Sequence, residues 1–93
     1  MYTPKPIDTS HIEVPKELLA LTEQIAENVH EVWAKSRMEE GWVYGEERSD
    51  IKKQTPCLVP YDMLPEVEKQ YDRSTALGTI KLILAMGYTI QRS

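Results

Sequence analysis

The chain has 93 residues, of which 41% are hydrophobic and 28% charged, with a net charge of −4. This length accommodates one small domain with a modest core, and the composition is that of an ordinary globular protein. The acidic balance argues against duplex binding, which requires a basic face, so we expect no nucleic-acid partner. The single cysteine, Cys57, cannot form an internal disulfide and fits a reducing compartment. Because no apolar run is long enough for a bilayer span or a signal peptide, we expect a cytoplasmic domain without membrane insertion.

The N-terminal part predicts an extended arm followed by a long helix. Pro4 and Pro6 favour extended backbone, so the arm covers residues 1–14. The first helix is predicted over residues 15–40, with proline at its start and glycine after its end, as helices prefer. Its apolar stripe repeats at steps of three and four residues and contains Leu18, Leu21, Ile25, Val29 and Val32.

The middle of the chain, residues 41–63, predicts an irregular loop with a short strand. Two glycines bracket the Gly-Trp-Val-Tyr-Gly segment at 41–45, where a tight turn needs their conformational freedom. Residues 56–61 are an apolar run between two prolines, which restricts any strand there to a short edge strand. Asp62 is expected to cap the start of the next helix.

A second helical region is predicted over residues 64–86, ended by Gly87 and followed by a tail, 87–93, with a brief strand at 88–90. Asp72, Ser74 and Thr75 are weak helix residues, so the region is either one kinked helix or two consecutive ones. Its predicted apolar stripe contains Leu64, Val67, Tyr71, Leu77, Ile80, Ile83 and Leu84.

These elements predict one domain, 1–93, with a mainly α fold (α+β with minor β). Two helical segments with apolar stripes, joined by a looped middle, are expected to pack antiparallel. The irregular loop and short edge strands would then lie across the helical pair.

Aromatic and basic residues are concentrated around the end of the first helix. Trp33, Arg37, Trp42, Tyr44 and Arg48 fall within sixteen residues. Flat rings beside guanidinium groups suit a planar, negatively charged ligand or an aromatic-anchored partner surface. The competing interpretation is that the tryptophans only fill a small core.

The sequence lacks a recognisable catalytic or metal-binding pattern. His11 and His30 are far apart, and neither belongs to a metal-ligand motif. His30 is expected to be a partly buried helix residue that bonds a backbone carbonyl, and Cys57 to behave as a small hydrophobe. We therefore expect no enzymatic activity, no catalytic residues, no bound metal and no cofactor.

Several segments together resemble the ryanodine-receptor repeat, or RyR domain. The core of the resemblance is Ala-Glu-Asn-x-His-x-x-Trp at 26–33, followed by Gly-Trp-x-Tyr-Gly at 41–45. It extends over almost the whole chain, and the other matching segments are Pro-Ile-Asp-Thr-Ser at 6–10, Leu-Val-Pro-Tyr at 58–61, Glu-Lys-x-Tyr-Asp-Arg at 68–73 and Met-Gly-Tyr at 86–88. The chain is similar to the single-copy members found in bacterial proteins.

The resemblance implies a compact, mainly helical module without known enzymatic activity. In the receptors two repeats pack as pseudo-symmetric halves, and related modules are associated with adenine nucleotides. Carried over by position, Trp33 would stack on the base, Arg37 and Arg48 would meet the phosphates, and Tyr44 and Gly45 would shape the wall. A single repeat would need a homodimer to clamp a ligand between two tryptophans.

This chain departs from the family pattern at three positions. Thr55 stands where a histidine often precedes the proline, Ser49 where an aspartate often follows the arginine, and Gly78 where a glutamate is common.

The sequence and the family resemblance together support two functional hypotheses. The first is a regulatory module that binds an adenine nucleotide. The second is a protein-interaction or scaffolding domain without a small-molecule ligand.

Overall fold

The structure is a computed structural model that describes all residues, 1–93. Its elements in chain order are α1 (Lys16–Leu19), α2 (Thr22–Glu39), β1 (Val43–Tyr44), β2 (Gln54–Thr55), a 3-10 turn (Tyr61–Met63) and α3 (Glu66–Ala85). The predicted mainly α fold with minor β is confirmed. None of the helices combines the length and the apolar character that crossing a membrane requires.

The predicted continuous first helix, 15–40, is interrupted after its first turn. Leu21 N–H donates to the carbonyl of Leu18 at 3.0 Å, a three-residue step that is tighter than the α-helical one. Ala20 and Leu21 nevertheless keep right-handed helical dihedral angles. The interruption is therefore a local tightening of the helical path.

The buried face of α2 is rotated from the predicted apolar stripe. Leu21 and Val32 are exposed, Val32 by 59%, whereas Ala26, His30 and Ala34 are buried. These three residues follow one another at four-residue steps and therefore lie on one side of the helix. Two of them are alanines, which allow neighbouring segments to approach the helix axis closely. The predicted stripe is therefore correct only in part: Leu18 is buried and Ile25 and Val29 are half-buried, but Leu21 and Val32 are exposed.

Helix α3 is continuous, so neither a kink nor a division into two helices occurs. The hydroxyls of Thr75 and Thr79 donate to the carbonyls four residues earlier, at 3.0 and 2.8 Å, and are satisfied within the helix. The predicted Asp62 cap was wrong. Pro65 occupies the N-cap position and no side chain caps the helix.

The predicted stripe of the second helical region is only partly buried. Val67 and Tyr71 are 66% and 69% exposed, whereas Ala76 and Ile80 are buried. As in α2, a small alanine side chain is therefore among the most buried residues of the helix. Both helices end as predicted, because Gly41 and Gly87 take the positive φ values of 94° and 93° that helix ends favour.

The two long helices run in opposite directions. Arg73 of α3 bonds Glu23 near the start of α2, whereas Leu64, just before α3, lies beside His30 further along α2. The segment that leads into α3 therefore packs against the first half and the middle of α2, where Leu64 clusters with Ala26.

Strand β1 pairs with β2 in parallel, with Val43 opposite Gln54 and Tyr44 opposite Thr55. The predicted strands at 56–61 and 88–90 are absent. The first of these segments carries two prolines, which cannot donate ladder hydrogen bonds.

The core lies where α2 meets the 57–64 segment that precedes α3. Ala26, Tyr61 and Leu64 form its buried cluster, and Cys57 and Val59 pack against them. Ala26 is fully inaccessible. This packing holds the segment that precedes α3 against α2 and thereby forms one side of the cleft described below.

Candidate functional site

The end of α2 brings Trp42 beside Arg37. The positive φ of Gly41 reverses the chain, and the N–H of Trp42 then donates to the carbonyl of Arg37 at 2.9 Å. The Arg37 guanidinium lies 5.0 Å from the Trp42 ring centroid and 5.9 Å from that of Trp33. Arg48 approaches the same Trp42 ring, at 5.7 Å. The predicted grouping of two indoles with two guanidinium groups is therefore present, with Trp42 at its centre.

Each of the two arginines also has a carboxylate partner nearby. Arg48 Nε donates to Asp50 Oδ1 at 3.0 Å, and Arg37 Nη1 lies 3.7 Å from Glu40 Oε1. Both carboxylates are exposed, so solvent weakens these pairs and an incoming anion can compete with them.

A cleft of about 450 Å³ opens beside Trp33, between α2, the 55–57 segment and α3. The cleft is lined by His30, Trp33, Arg48, Thr55, Pro56, Cys57, Leu64, Glu68 and Asp72. Of the predicted site residues, Trp33 and Arg48 line it, whereas Arg37, Tyr44 and Gly45 do not. Trp33 is half-buried, so one part of its ring contacts the protein and another part faces the cleft.

His30 fixes the inner side of the Trp33 ring. The two rings stack with centroids 5.5 Å apart and an angle of 26° between their planes. Nε2 of His30 donates to the carbonyl of Val59 at 2.7 Å, since a carbonyl can only accept. The predicted bond from His30 to a backbone carbonyl is confirmed. Because His30 is buried and bonded, it holds Trp33 in place against the cleft.

Tyr44 and Gly45 lie at the sheet. Tyr44 is 54% exposed on β1. A Cβ atom on Gly45 would lie 2.7 Å from the Cβ of Gln54, so only glycine fits against β2 at this position. Gly45 N–H also donates to the carbonyl of Thr55 at 3.2 Å. The glycine therefore positions Thr55, which lines the cleft.

The segment after β2 forms the second side of the cleft. Thr55 is buried, and its hydroxyl accepts from the N–H of Cys57 at 3.2 Å. Burial raises the pKa of the Cys57 thiol; the Glu68 carboxylate adds to this, and the Thr55 hydroxyl and Arg48 oppose it. Cys57 is therefore a protonated thiol at neutral pH, a polarizable side chain in the cleft wall.

The third side is acidic and was not predicted. Glu68 and Asp72 lie one turn apart on α3 and both line the cleft. Burial raises the pKa of Asp72, while the charge of His30 acts in the opposite direction. The sequence did carry a signal, because Leu64, Glu68 and Asp72 follow one another at four-residue steps. The sequence analysis overlooked this signal because it used only large apolar residues to identify the inward face of α3.

The cleft thus combines a flat aromatic wall with one cation, Arg48, and two carboxylates, Glu68 and Asp72. This arrangement is suited to a planar ligand that carries an anionic group and N–H donors. The structure contains no group of three or more His, Cys, Asp or Glu side chains placed to hold a metal ion.

Comparison with known families agrees with the segments noted in the sequence. The family model described as the RyR domain matches residues 2–92, nearly the whole chain. The Ala-Glu-Asn-x-His-x-x-Trp segment at 26–33 supplies His30 and Trp33 of the cleft, and the glycine-bracketed turn at 41–45 supplies the neighbouring indole. The chain belongs to the RyR domain family.

Proposed function

We propose that this RyR domain is a non-enzymatic regulatory module whose cleft binds an adenine nucleotide. The observation that carries this proposal is the placement of Trp33, which is half-buried and forms a wall of a cleft of about 450 Å³. That volume lies within the roughly 300–1,000 Å³ of small-molecule sites. An indole that only filled the core would have no such space beside it.

Arg48 is the phosphate partner within the cleft, and Arg37 lies outside it against the same Trp42 ring. A guanidinium group offers several N–H donors to phosphate oxygens, and its contact with an indole holds it in place. Stacking contributes about 1–3 kcal/mol and a charge-assisted hydrogen bond about 1.5–3 kcal/mol. After the cost of association, these terms support a dissociation constant in the micromolar to millimolar range.

Calorimetric titration with ATP, ADP and AMP tests the proposal. Wild type should give saturable heat and Trp33→Ala should give none. Tyr88→Ala should behave as wild type, because it removes an aromatic ring that is 65% exposed in the tail. Equal binding by Trp33→Ala and wild type would refute the role of the indole.

Salt separates the two contributions. Arg48→Ala should weaken binding most at low ionic strength, because salt screens the contact between guanidinium and phosphate. Arg92→Ala, in the exposed tail, is the matched control for loss of one positive charge. Trp33→Ala should abolish binding at every salt concentration, since stacking does not depend on screening.

The alternative is a protein-interaction domain, and exposed apolar residues near the sheet favour it. Ile51 is 98% exposed in the loop between the strands, and Val43 and Tyr44 are each more than half exposed on β1. A domain that acts only through this surface would give no saturable heat with any nucleotide. Substituting Ile51 by Ser would then abolish partner binding and leave the fold intact.

We also propose that the chain forms a two-fold dimer. Its radius of gyration is 16.0 Å, whereas a compact domain of this length has one of about 12 Å. Only 10 of 93 residues are buried, so much apolar surface remains for a second copy to cover. Light scattering at high micromolar concentration should give twice the monomer mass, and monomer mass alone would exclude the dimer.

A further inference from the structure

We propose that Glu68 and Asp72 recognise the edge of the base, so that the cleft selects purines that offer two N–H donors toward α3. This inference rests on the proposed nucleotide site and names the class of base that it takes. It predicts discrimination between bases that stack equally well on Trp33.

The first argument is position. Glu68 and Asp72 are four residues apart on α3, and both line the cleft that the Trp33 ring borders. A base stacked on the indole presents its edge, rather than its face, to the surrounding walls. Two successive turns of α3 each place a carboxylate at the cleft, so the edge of the base would meet two hydrogen-bond acceptors.

The second argument is that both carboxylates are available. No ion pair or side-chain hydrogen bond of the structure uses Glu68 or Asp72. The raised pKa of Asp72, caused mainly by burial, agrees with a carboxylate that the protein does not itself stabilise with a donor.

The cations nearest to them in sequence are engaged elsewhere. Arg73 donates to Glu23 at 2.7 Å and to Glu66 at 3.0 Å. Lys69 lies 3.8 Å from Glu66, and its ammonium is 5.6 Å from the centre of the Tyr61 ring. The positive groups of α3 therefore contact Glu23, Glu66 and the Tyr61 ring, and the side chains of α3 that line the cleft are not neutralised by them.

The third argument is chemical. An ionised carboxylate is only an acceptor, so it must meet a donor when it is partly removed from water. The amino group of adenine offers two N–H bonds, and guanine offers two through its ring N–H and its amino group. Hypoxanthine offers one N–H beside a carbonyl oxygen, which would face a carboxylate and be repelled. The carboxylates also repel phosphate, so the phosphate must lie toward Arg48, which fixes the ligand's orientation.

The test compares nucleoside monophosphates that differ only at the base edge. AMP and GMP should bind wild type at least about 10-fold more tightly than IMP, the change expected when one charge-assisted hydrogen bond is lost. N6,N6-dimethyl-AMP, which stacks but has no amino hydrogen, should bind as weakly as IMP. Protection of the Cys57 thiol from alkylation provides a second measurement of occupancy at the cleft itself.

Two isosteric substitutions then test whether Glu68 and Asp72 produce the selectivity between bases. In Glu68→Gln and Asp72→Asn the amide can donate to a carbonyl oxygen, so the AMP-to-IMP ratio should fall toward one in each. Glu66→Gln is the matched control, because Glu66 lies on the same helix, pairs with Arg73 and does not line the cleft. Circular dichroism checks that each variant is folded.

Equal affinity of wild type for AMP, IMP and the dimethylated nucleotide would overturn this inference and leave the nucleotide site intact. An unchanged ratio in both amide variants would also overturn it. If no nucleotide gives heat or protects Cys57, the proposed nucleotide site itself fails. The outcomes therefore separate failure of base selection from failure of binding.

Discussion

Gly45→Ala is expected to destabilise the protein through a single steric contact. The new Cβ would lie 2.7 Å from the Cβ of Gln54 and 2.9 Å from its Oε1. The amide oxygen can rotate away, but the Cβ of Gln54 moves only with the backbone of β2. One strand must therefore shift, and overpacking of this kind costs about 1–3 kcal/mol. That is a large part of the roughly 5–15 kcal/mol by which small domains are stable.

Gly78→Ala is the matched control. Gly78 lies inside α3, and a Cβ there would meet no atom within 4 Å. Alanine is favoured over glycine in a helix interior by about 0.5–1 kcal/mol, so this variant should be more stable than wild type. The two substitutions add the same methyl group and should change stability in opposite directions.

Urea denaturation followed by circular dichroism measures both effects as shifts of the midpoint at constant slope. Because β2 carries Thr55 into the cleft, Gly45→Ala should also weaken nucleotide binding, whereas Gly78→Ala should not. A stability of Gly45→Ala equal to that of wild type would refute the reasoning, since it would mean that the strands do not approach as closely as the structure shows.

Three further outcomes are expected. Tyr61→Phe should leave stability unchanged or raise it by about 1 kcal/mol, because the Tyr61 hydroxyl is buried without a hydrogen-bond partner; a clear loss of stability in thermal melts would contradict this prediction. Burial, reinforced by the Glu23 carboxylate, raises the pKa of Tyr61 from 10.0 to about 12, so the unfolded chain ionises first and stability should fall as pH rises from 10 to 12. Tyr61→Phe should remove this part of the pH dependence. His30→Ala should cost about 1–3 kcal/mol, because it leaves the Val59 carbonyl unpaired and removes the ring behind Trp33; denaturation equal to wild type would contradict that role.

The local features of this fold were predictable because they depend on short-range chemistry. Gly41 and Gly87 end the two long helices, and a single glycine after a helical segment is enough to indicate where the helix ends. The aromatic and basic grouping was also visible, since Arg37 and Trp33 lie one turn apart and Gly41 returns the chain toward them. The bond from His30 to a backbone carbonyl followed from its position near an apolar face.

The family, the mainly α fold and the C-terminal ends of the long helices were all predictable from sequence, as were Trp33 and Arg48, which line the cleft. Which helix faces are buried depends on tertiary packing, since the small Ala26 and Ala76 are buried whereas the larger Val32 and Tyr71 are exposed. Tertiary packing also brings Glu68 and Asp72 into the same cleft as Trp33, from segments more than thirty residues apart in the sequence. Helical periodicity fixes which residues share a face, but only the packing of α3 against α2 determines what that face meets.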